Sequence, residues 1–169
     1  ARHVFQAHGG TVGVGAQHHI AKLLHDGLAP WIAARGKIRA ALDLCTGSGC
    51  LAILLAHTFP RARVDASDLS AAALRVARRN VSDYGLERRI RLVKSGLFTG
   101  LAQEKYDVIV ANPPYVRSAV MRRLPPEYRR EPRLALAGGD DGLDIVKTIV
   151  AQAARHLKSG GLLVAETGH

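Results

Sequence analysis

Residues 40 to 56 constrain the fold most tightly. Ala40-Ala41-Leu42-Asp43-Leu44 is a short apolar run of strand character, Cys45-Thr46-Gly47-Ser48-Gly49 is a glycine-rich turn, and Cys50-Leu51-Ala52-Ile53-Leu54-Leu55-Ala56 has the unbroken apolarity of a buried helix. A strand that turns through two glycines straight into a helix is the first half of a strand–helix–strand unit, and such units stack into a parallel sheet covered on both faces. The glycines matter because a missing Cβ permits positive φ and lets backbone N–H groups close on a ligand. Gly47-x-Gly49-x-x-Ala52 satisfies the dinucleotide fingerprint, which by itself leaves open which nucleotide binds.

The rest of the chain repeats the alternation. Arg63 to Ser67 reads as a second strand with Asp68 at its carboxyl end, 19 residues beyond Gly49. A carboxylate there can accept from both hydroxyls of a ribose. Ser70 caps a helix with Leu74, Ala77, Val81 and Tyr84 in one stripe, Gly85 ends it, and Arg75, Arg78 and Arg79 face solvent. Ile90 to Lys94 is a third strand running into Ser95-Gly96-Leu97-Phe98, and Tyr106 to Ala111 a fourth. Asp144 to Leu157 is expected to be helical, with Val146, Ile149, Val150, Ala153 and Leu157 on one face and Gly160-Gly161 as its stop; Leu162 to Glu166 is a fifth strand. The fold class is therefore α/β and Rossmann-like, a mainly parallel sheet with helices on both faces.

Residues 1–19 read as a flexible lead-in whose histidines form no metal pattern, and 20–169 as one domain, opening with a helix through Ile20, Leu23, Leu24 and Leu28 up to Pro30. The chain starts at Ala1 and stops at His169, just past an apolar run, as a piece of a longer protein would. No run reaches transmembrane length and no signal peptide is visible, so a cytoplasmic, soluble monomer without membrane contact is expected, with Cys45 and Cys50 as reduced thiols. The net charge of +10 and pI near 10.3 point to an anionic macromolecular neighbourhood, although 18 of the 24 cations are arginines in a chain rich in Ala, Gly and Arg, a purely compositional source. The densest patch lies in 116–143, a connection too long to be simple, with six arginines between Arg117 and Arg133 against Glu127 and Glu131. This segment is the expected substrate contact.

The chemistry centres on Val108-Ile109-Val110-Ala111-Asn112-Pro113-Pro114-Tyr115, an apolar run that stops at an amide, two prolines and a ring. The prolines leave the sheet as a stiff turn. They put Asn112 and Tyr115 at the carboxyl ends of the strands, where open α/β sheets bind ligands. A planar amide or aromatic-amine nitrogen is a poor nucleophile because its lone pair is delocalised. The Asn112 side-chain oxygen and the Pro113 carbonyl could accept both of its hydrogens and aim the lone pair, with Tyr115 stacking on the planar group. Asp43, just before the glycine turn, suits an amino group better than a pyrophosphate.

Asp43-Leu44-Cys45-Thr46-Gly47-Ser48-Gly49, Asp68 and Asn112-Pro113-Pro114-Tyr115 together resemble the class I S-adenosylmethionine-dependent methyltransferases of planar nitrogens. Leu124-Pro125-Pro126-Glu127-Tyr128-Arg129-Arg130-Glu131-Pro132, Leu134-Ala135-Leu136 and Gly139-Asp140-Asp141-Gly142-Leu143 narrow this to the protein-glutamine N-methyltransferases of the HemK family, over residues from about 39 to 167. The Leu-Pro-Pro-Glu-Tyr-Arg run favours the branch that methylates a glutamine in a large-subunit ribosomal protein over the sister branch acting on peptide release factors. The resemblance implies S-adenosylmethionine as cofactor, no metal, and possible contact with ribosomal RNA through the basic surface. It implies Asn112, Pro113, Pro114 and Tyr115 as catalytic; Asp43, Cys45, Thr46, Gly47, Gly49, Asp68, Gly96, Leu97 and Asn112 as cofactor-binding; and Asn112, Pro113, Tyr115, Arg130 and Glu131 as substrate-binding. A nucleic-acid amino-methyltransferase, a dinucleotide-dependent oxidoreductase and an inactive binding module are the alternatives. Three departures stand out: Gly96 stands where the resemblance implies an acidic residue directed at adenine, residues 1–19 match neither the family's N-terminal helical domain nor its proline-containing entry loop, and the sequence stops before the hairpin expected after the fifth strand, as a piece of a longer protein would.

Overall fold

The computed structural model describes residues 35–101, 103–114 and 143–166. Strands β1 Ala40–Leu44, β2 Arg63–Asp68, β3 Ile90–Lys94, β4 Tyr106–Ala111 and β5 Leu157–Ala165 alternate with helices α1 Cys50–Thr58, α2 Ala71–Asp83 and α3 Asp144–Ala153. The five strands form one sheet in the order β3-β2-β1-β4-β5, with every pairing parallel. The α/β class and its parallel sheet are as the sequence predicts. The chain builds outward from β1 through β2 to β3, then returns to the other side of β1 for β4 and β5. Strand order thus reverses between β1 and β4, and ligand crevices of open α/β sheets lie at the carboxyl ends beside such a reversal.

Burial on both faces explains why β4 is apolar without alternation. Val108 and Val110 pack with α1 and with Val81 of α2, whereas Ile109 and Ala111 pack with Ile149 and Ala153 of α3. All four β4 residues are fully buried, and truncating Ile109 to Ala would cost about 2–5 kcal/mol. On α2, the Ser70 hydroxyl accepts from Ala73 N at 3.2 Å, Leu74, Ala77 and Val81 are buried, Arg75, Arg78 and Arg79 are exposed, and Gly85 follows at φ 64°.

Three expectations are corrected. Tyr84 is exposed, because α2 ends at Asp83 and the ring leaves the buried stripe to sit edge-on to His57. Helix α3 ends at Ala153, with Val150 outside its buried face, and Leu157 opens β5 opposite Tyr106. Gly160 and Gly161 are therefore part of β5 and do not stop a helix. The register jumps from Tyr106↔Leu157 to Val108↔Leu162, so the extra β5 residues bulge. Gly160 takes φ 73° in this bulge, and a Cβ on Gly161 would meet the Tyr106 and Lys158 carbonyl oxygens at 3.0 Å. The helix expected before Pro30 and the segment 116–143 lie outside the described residues.

Candidate active site

The parallel register sets the strand ends level. Leu44 pairs with Ser67 on one side and Ala111 on the other, Asp68 with Lys94, and Ala111 with Ala165, while the Glu166 N–H donates to the Ala111 carbonyl at 2.9 Å. Cys45, Asp68, Ser95, Asn112 and Glu166 consequently share one rim, at the point where strand order reverses.

The glycine turn is tied down from both neighbours. Thr46 N donates to the Ser67 carbonyl at 3.0 Å, Gly47 N to Asp68 Oδ2 at 2.9 Å, and the Asn80 side-chain amide to the Ser48 carbonyl at 2.8 Å. Its two glycines do different work. Gly47, at φ 55°, has no described residue within 4 Å of where a Cβ would stand, which leaves that side of the turn open to a ligand among the described residues. Gly49, at φ 82°, would place a Cβ 3.1 Å from the Ala77 Cβ, so its lack of a side chain seats α1 against α2. Cys45 at φ 57° and Leu97 at φ 53° are the non-glycine residues with positive φ among the described residues, and both lie in rim turns. Each such conformation costs about 1–3 kcal/mol and persists only where its surroundings impose it.

Asp43 is fully buried beneath this turn. Burial pushes its carboxyl up to about 7; the Thr46 hydroxyl, which donates to Oδ2, and the Ala52 backbone pull it partly back, and the charge of Asp68 adds a smaller upward push. Asp43 Oδ1 has no well-formed hydrogen bond among the described residues. The Cys45 thiol is pushed up to about 12, first by burial and then by the Asp68 and Asp43 charges, so it stays neutral. Asp68 uses Oδ2 for Gly47 N and Oδ1 for Ser70 N at 2.8 Å, and each oxygen retains a further lone pair.

At the end of β4, Pro113 is buried and Pro114 half-buried. Asn112 Oδ1 is buried with no hydrogen-bond partner among the described residues. An unsatisfied buried acceptor costs about 1–3 kcal/mol, which a donor on a bound molecule would recover. Across the sheet, a Cβ on Gly96 would meet, among the described residues, only Thr99 Oγ1 at 3.7 Å and Leu69 Cδ1 at 3.9 Å. The structure thus brings Asp43, Cys45, Thr46, Gly47, Gly49, Asp68, Gly96, Leu97, Asn112, Pro113 and Pro114 to one end of the sheet. Tyr115, Arg130 and Glu131 lie outside the described residues.

Two supporting residues escape the sequence reading. Asn80 braces the glycine turn from α2, and its signal was a short amide inside a helix that it does not favour. Ser95 donates to the Leu97 carbonyl at 2.7 Å and accepts from Gly100 N at 2.8 Å, holding the β3 turn. Among the described residues no cluster of His, Cys, Asp or Glu is arranged to hold a metal, and no helix is long and apolar enough to cross a membrane.

A parallel sheet in this order, with a glycine turn after β1 and an acidic residue ending β2, is the architecture of class I methyltransferases. The chain belongs to the methyltransferase small domain family, whose model matches residues 21–124. Over 150 residues it is 57% identical to the ribosomal protein uL3 glutamine methyltransferase of Bordetella pertussis, covering 89% of this chain and 50% of that protein. The same-named protein of Neisseria meningitidis serogroup A is 54% identical over 150 residues, covering 89% of this chain and 49% of its own length. The chain therefore spans about half the length of the curated relatives it matches. The crystal structure of a ribosomal protein L11 methylase from Lactobacillus delbrueckii subsp. bulgaricus superposes with a TM-score of 0.61 at 22% identity, over 88% of this chain and 59% of that one, a likeness of fold. The resemblance drawn from the sequence to protein-glutamine methyltransferases holds.

Proposed function

We propose that this chain is the catalytic domain of a cytoplasmic S-adenosylmethionine-dependent methyltransferase, and that it methylates the side-chain amide nitrogen of a glutamine in a large-subunit ribosomal protein. The names of its relatives point to uL3 as that protein. The observation that carries the reading is the Asn112 side-chain oxygen, buried and unpartnered among the described residues at the rim where strand order reverses.

The residues present fit the cofactor. Asp68 retains acceptor capacity for ribose hydroxyls, Gly47 leaves the turn open, and the Oδ1 of buried Asp43, without a well-formed hydrogen bond among the described residues, can favour a nearby cationic group. When bound, S-adenosylmethionine supplies an electrophilic methyl group. Asn112 Oδ1 and the Pro113 carbonyl accept the two amide hydrogens of the substrate glutamine, so that its nitrogen lone pair points at that methyl. Tyr115 stacks on the amide plane, and Arg130 and Glu131 contact the protein substrate. Positioning and fixed dipoles of this kind supply several kcal/mol of barrier lowering without a covalent intermediate.

Mass spectrometry of uL3, a release factor and ribosomal RNA after incubation of the intact protein with isotopically labelled S-adenosylmethionine tests this. One added methyl on a uL3 glutamine is expected, and Asn112→Ala should cut turnover by about 100-fold while changing cofactor affinity by less than about threefold. Label in a release-factor glutamine would move the assignment to the sister branch. Label confined to nuclease-sensitive material would overturn it for a nucleic-acid amino-methyltransferase.

A further inference from the structure

A parallel sheet gathers all its strand starts at one end, opposite the rim that carries the site. In this chain those starts are basic. Lys37 and Arg39 lead into β1, Arg61 and Arg63 open β2, Arg88 precedes β3 and Lys105 precedes β4, and all six are exposed. The sheet order β3-β2-β1-β4 sets them side by side along one edge of the molecule.

Most carboxylates at this end are already engaged. Arg91 binds Asp65 through two contacts at 2.7 Å and Glu104 at 2.8 Å, and Lys158 binds Asp107 at 3.0 Å. Asp83, the last residue of α2, and Glu87, which accepts from the Ser82 hydroxyl at 2.8 Å, remain on the α2 flank. None of the six cations forms an ion pair with a described residue; Arg39 and Lys105 donate instead to backbone carbonyls. The opposite end has the reverse balance: Asp43, Asp68 and Glu166 sit on the rim, with Lys94 as the cation at its strand ends among the described residues. Among the described residues, positive charge is thus concentrated behind the crevice.

We infer that this basic end is a docking surface for the phosphate backbone of RNA, and that it holds the polymer with the crevice facing away from it. The four strands that carry these cations, at about 4.8 Å spacing, make a ledge of about 14 Å, a length over which a duplex presents on the order of eight phosphate charges. Arginine suits this role, because its planar guanidinium matches phosphate oxygens two at a time. A membrane surface fits less well. Basic membrane-binding faces add apolar anchors, and of the exposed large side chains among the described residues Leu69 lies at the crevice end, Val76 and Val150 lie along the helices and Tyr84 lies at this end. The inference does not depend on which group the crevice methylates.

The test is fluorescence anisotropy with labelled RNA and DNA duplexes of about 20 base pairs, titrated with the protein from about 50 to 300 mM salt. The triple variant Arg61→Glu, Arg63→Glu, Arg88→Glu is compared with Arg75→Glu, Arg78→Glu, Arg79→Glu on α2, which makes the same change in net charge. The first should weaken binding at least tenfold and flatten the slope of log affinity against log salt by about 2 to 3; the second should stay within about threefold. Asp68→Ala, at the crevice, should leave RNA binding unchanged. The RNA duplex should bind the tighter, and tighter binding of the DNA duplex would overturn RNA as the occupant. Equal losses in the two triple variants would overturn the inference in favour of undirected net charge, as would basic-end-dependent binding to phosphatidylserine vesicles with none to either duplex. Should the triple variant misfold, Arg63→Gln alone must still lower the salt slope by about one, and an unchanged slope there would refute the surface.

Discussion

Asp68, which ends β2, accepts the backbone N–H of Gly47 at 2.9 Å, so a carboxylate on one strand holds the turn that follows its neighbour. Its other oxygen accepts from Ser70 N, ahead of α2. Replacing the side chain removes a ligand contact and also the tie that sets the shape of the glycine turn. Asp68→Ala should weaken S-adenosylmethionine binding by about 10- to 150-fold, the loss of one or two hydrogen bonds to a charged acceptor. Turnover at saturating cofactor should fall by less than tenfold. Calorimetric affinity alongside kcat decides: unchanged affinity with lost kcat would place Asp68 in the chemistry instead.

How much of this was legible beforehand varies with the range of the interactions involved. The β1 turn and the Asp68 position are local patterns of glycine spacing and strand ends, and they read directly. The β4 strand read correctly because burial on both faces removes alternation, a signal within the strand itself. Gly160-Gly161 misled because two glycines after an apolar helical stretch suggest a helix stop, whereas the structure uses them where β5 bulges against β4. That pairing is set by Tyr106, some fifty residues away, and leaves no local trace. The division of labour between Gly47 and Gly49 was equally hidden, since it depends on how closely Ala77 of α2 approaches.

The bulge gives a stability prediction that separates two kinds of glycine. Gly161 is hemmed in by backbone: an added Cβ would sit 3.0 Å from the Lys158 and Tyr106 carbonyl oxygens, and backbone cannot swing aside as a flexible side chain does. Gly160 has open space but φ 73°. Gly161→Ala should destabilise by about 1–3 kcal/mol through overpacking, and Gly160→Ala by about 1–2 kcal/mol through backbone strain alone. Because Asn tolerates the left-handed region, Gly160→Asn should recover part of that loss and Gly161→Asn should not. Urea unfolding midpoints of the four variants would show it.

Asp43 gives the protein a pH dependence of definite sign. Its carboxyl is raised from 3.8 to about 7, chiefly by burial, so the folded state binds the proton more tightly than the unfolded chain does. The stability linked to this proton is fully present below about pH 4 and is lost as pH rises through 7, amounting to about 4 kcal/mol at 1.36 kcal/mol per unit. Asp43→Asn keeps the shape and an acceptor for Thr46 but does not titrate. Wild type should therefore lose stability relative to Asp43→Asn between pH 5 and pH 8 in denaturant titrations, and parallel curves would contradict the buried-carboxyl assignment. A cationic ligand group held beside Asp43 favours the ionised form, so S-adenosylmethionine binding near pH 6.5 should release a proton, visible as buffer-dependent heat in wild type and missing in Asp43→Asn.

Gly96 stands where the sequence resemblance leads one to expect an acidic residue, and among the described residues nothing stands in the way of a side chain there. The backbone there is not left-handed, and a Cβ would make only ordinary contacts with Thr99 Oγ1 and Leu69 Cδ1. The turn is braced independently, by Ser95 through the Leu97 carbonyl and Gly100 N, so a new side chain need not disturb it. A carboxylate at this position stands at the end of β3, one strand beyond Asp68, where it could accept from an adenine amino group. Gly96→Asp should tighten S-adenosylmethionine binding by about 1.5–3 kcal/mol, roughly 10- to 150-fold, for a hydrogen bond to a charged acceptor. The isosteric control is Gly96→Asn, which retains an acceptor without the charge and should gain less than half of that. Affinities measured by calorimetry decide the matter. If Gly96→Asp binds no tighter while its thermal stability is unchanged, adenine does not sit against this turn, and the cofactor placement built on Asp68 and Gly47 would have to be revised with it.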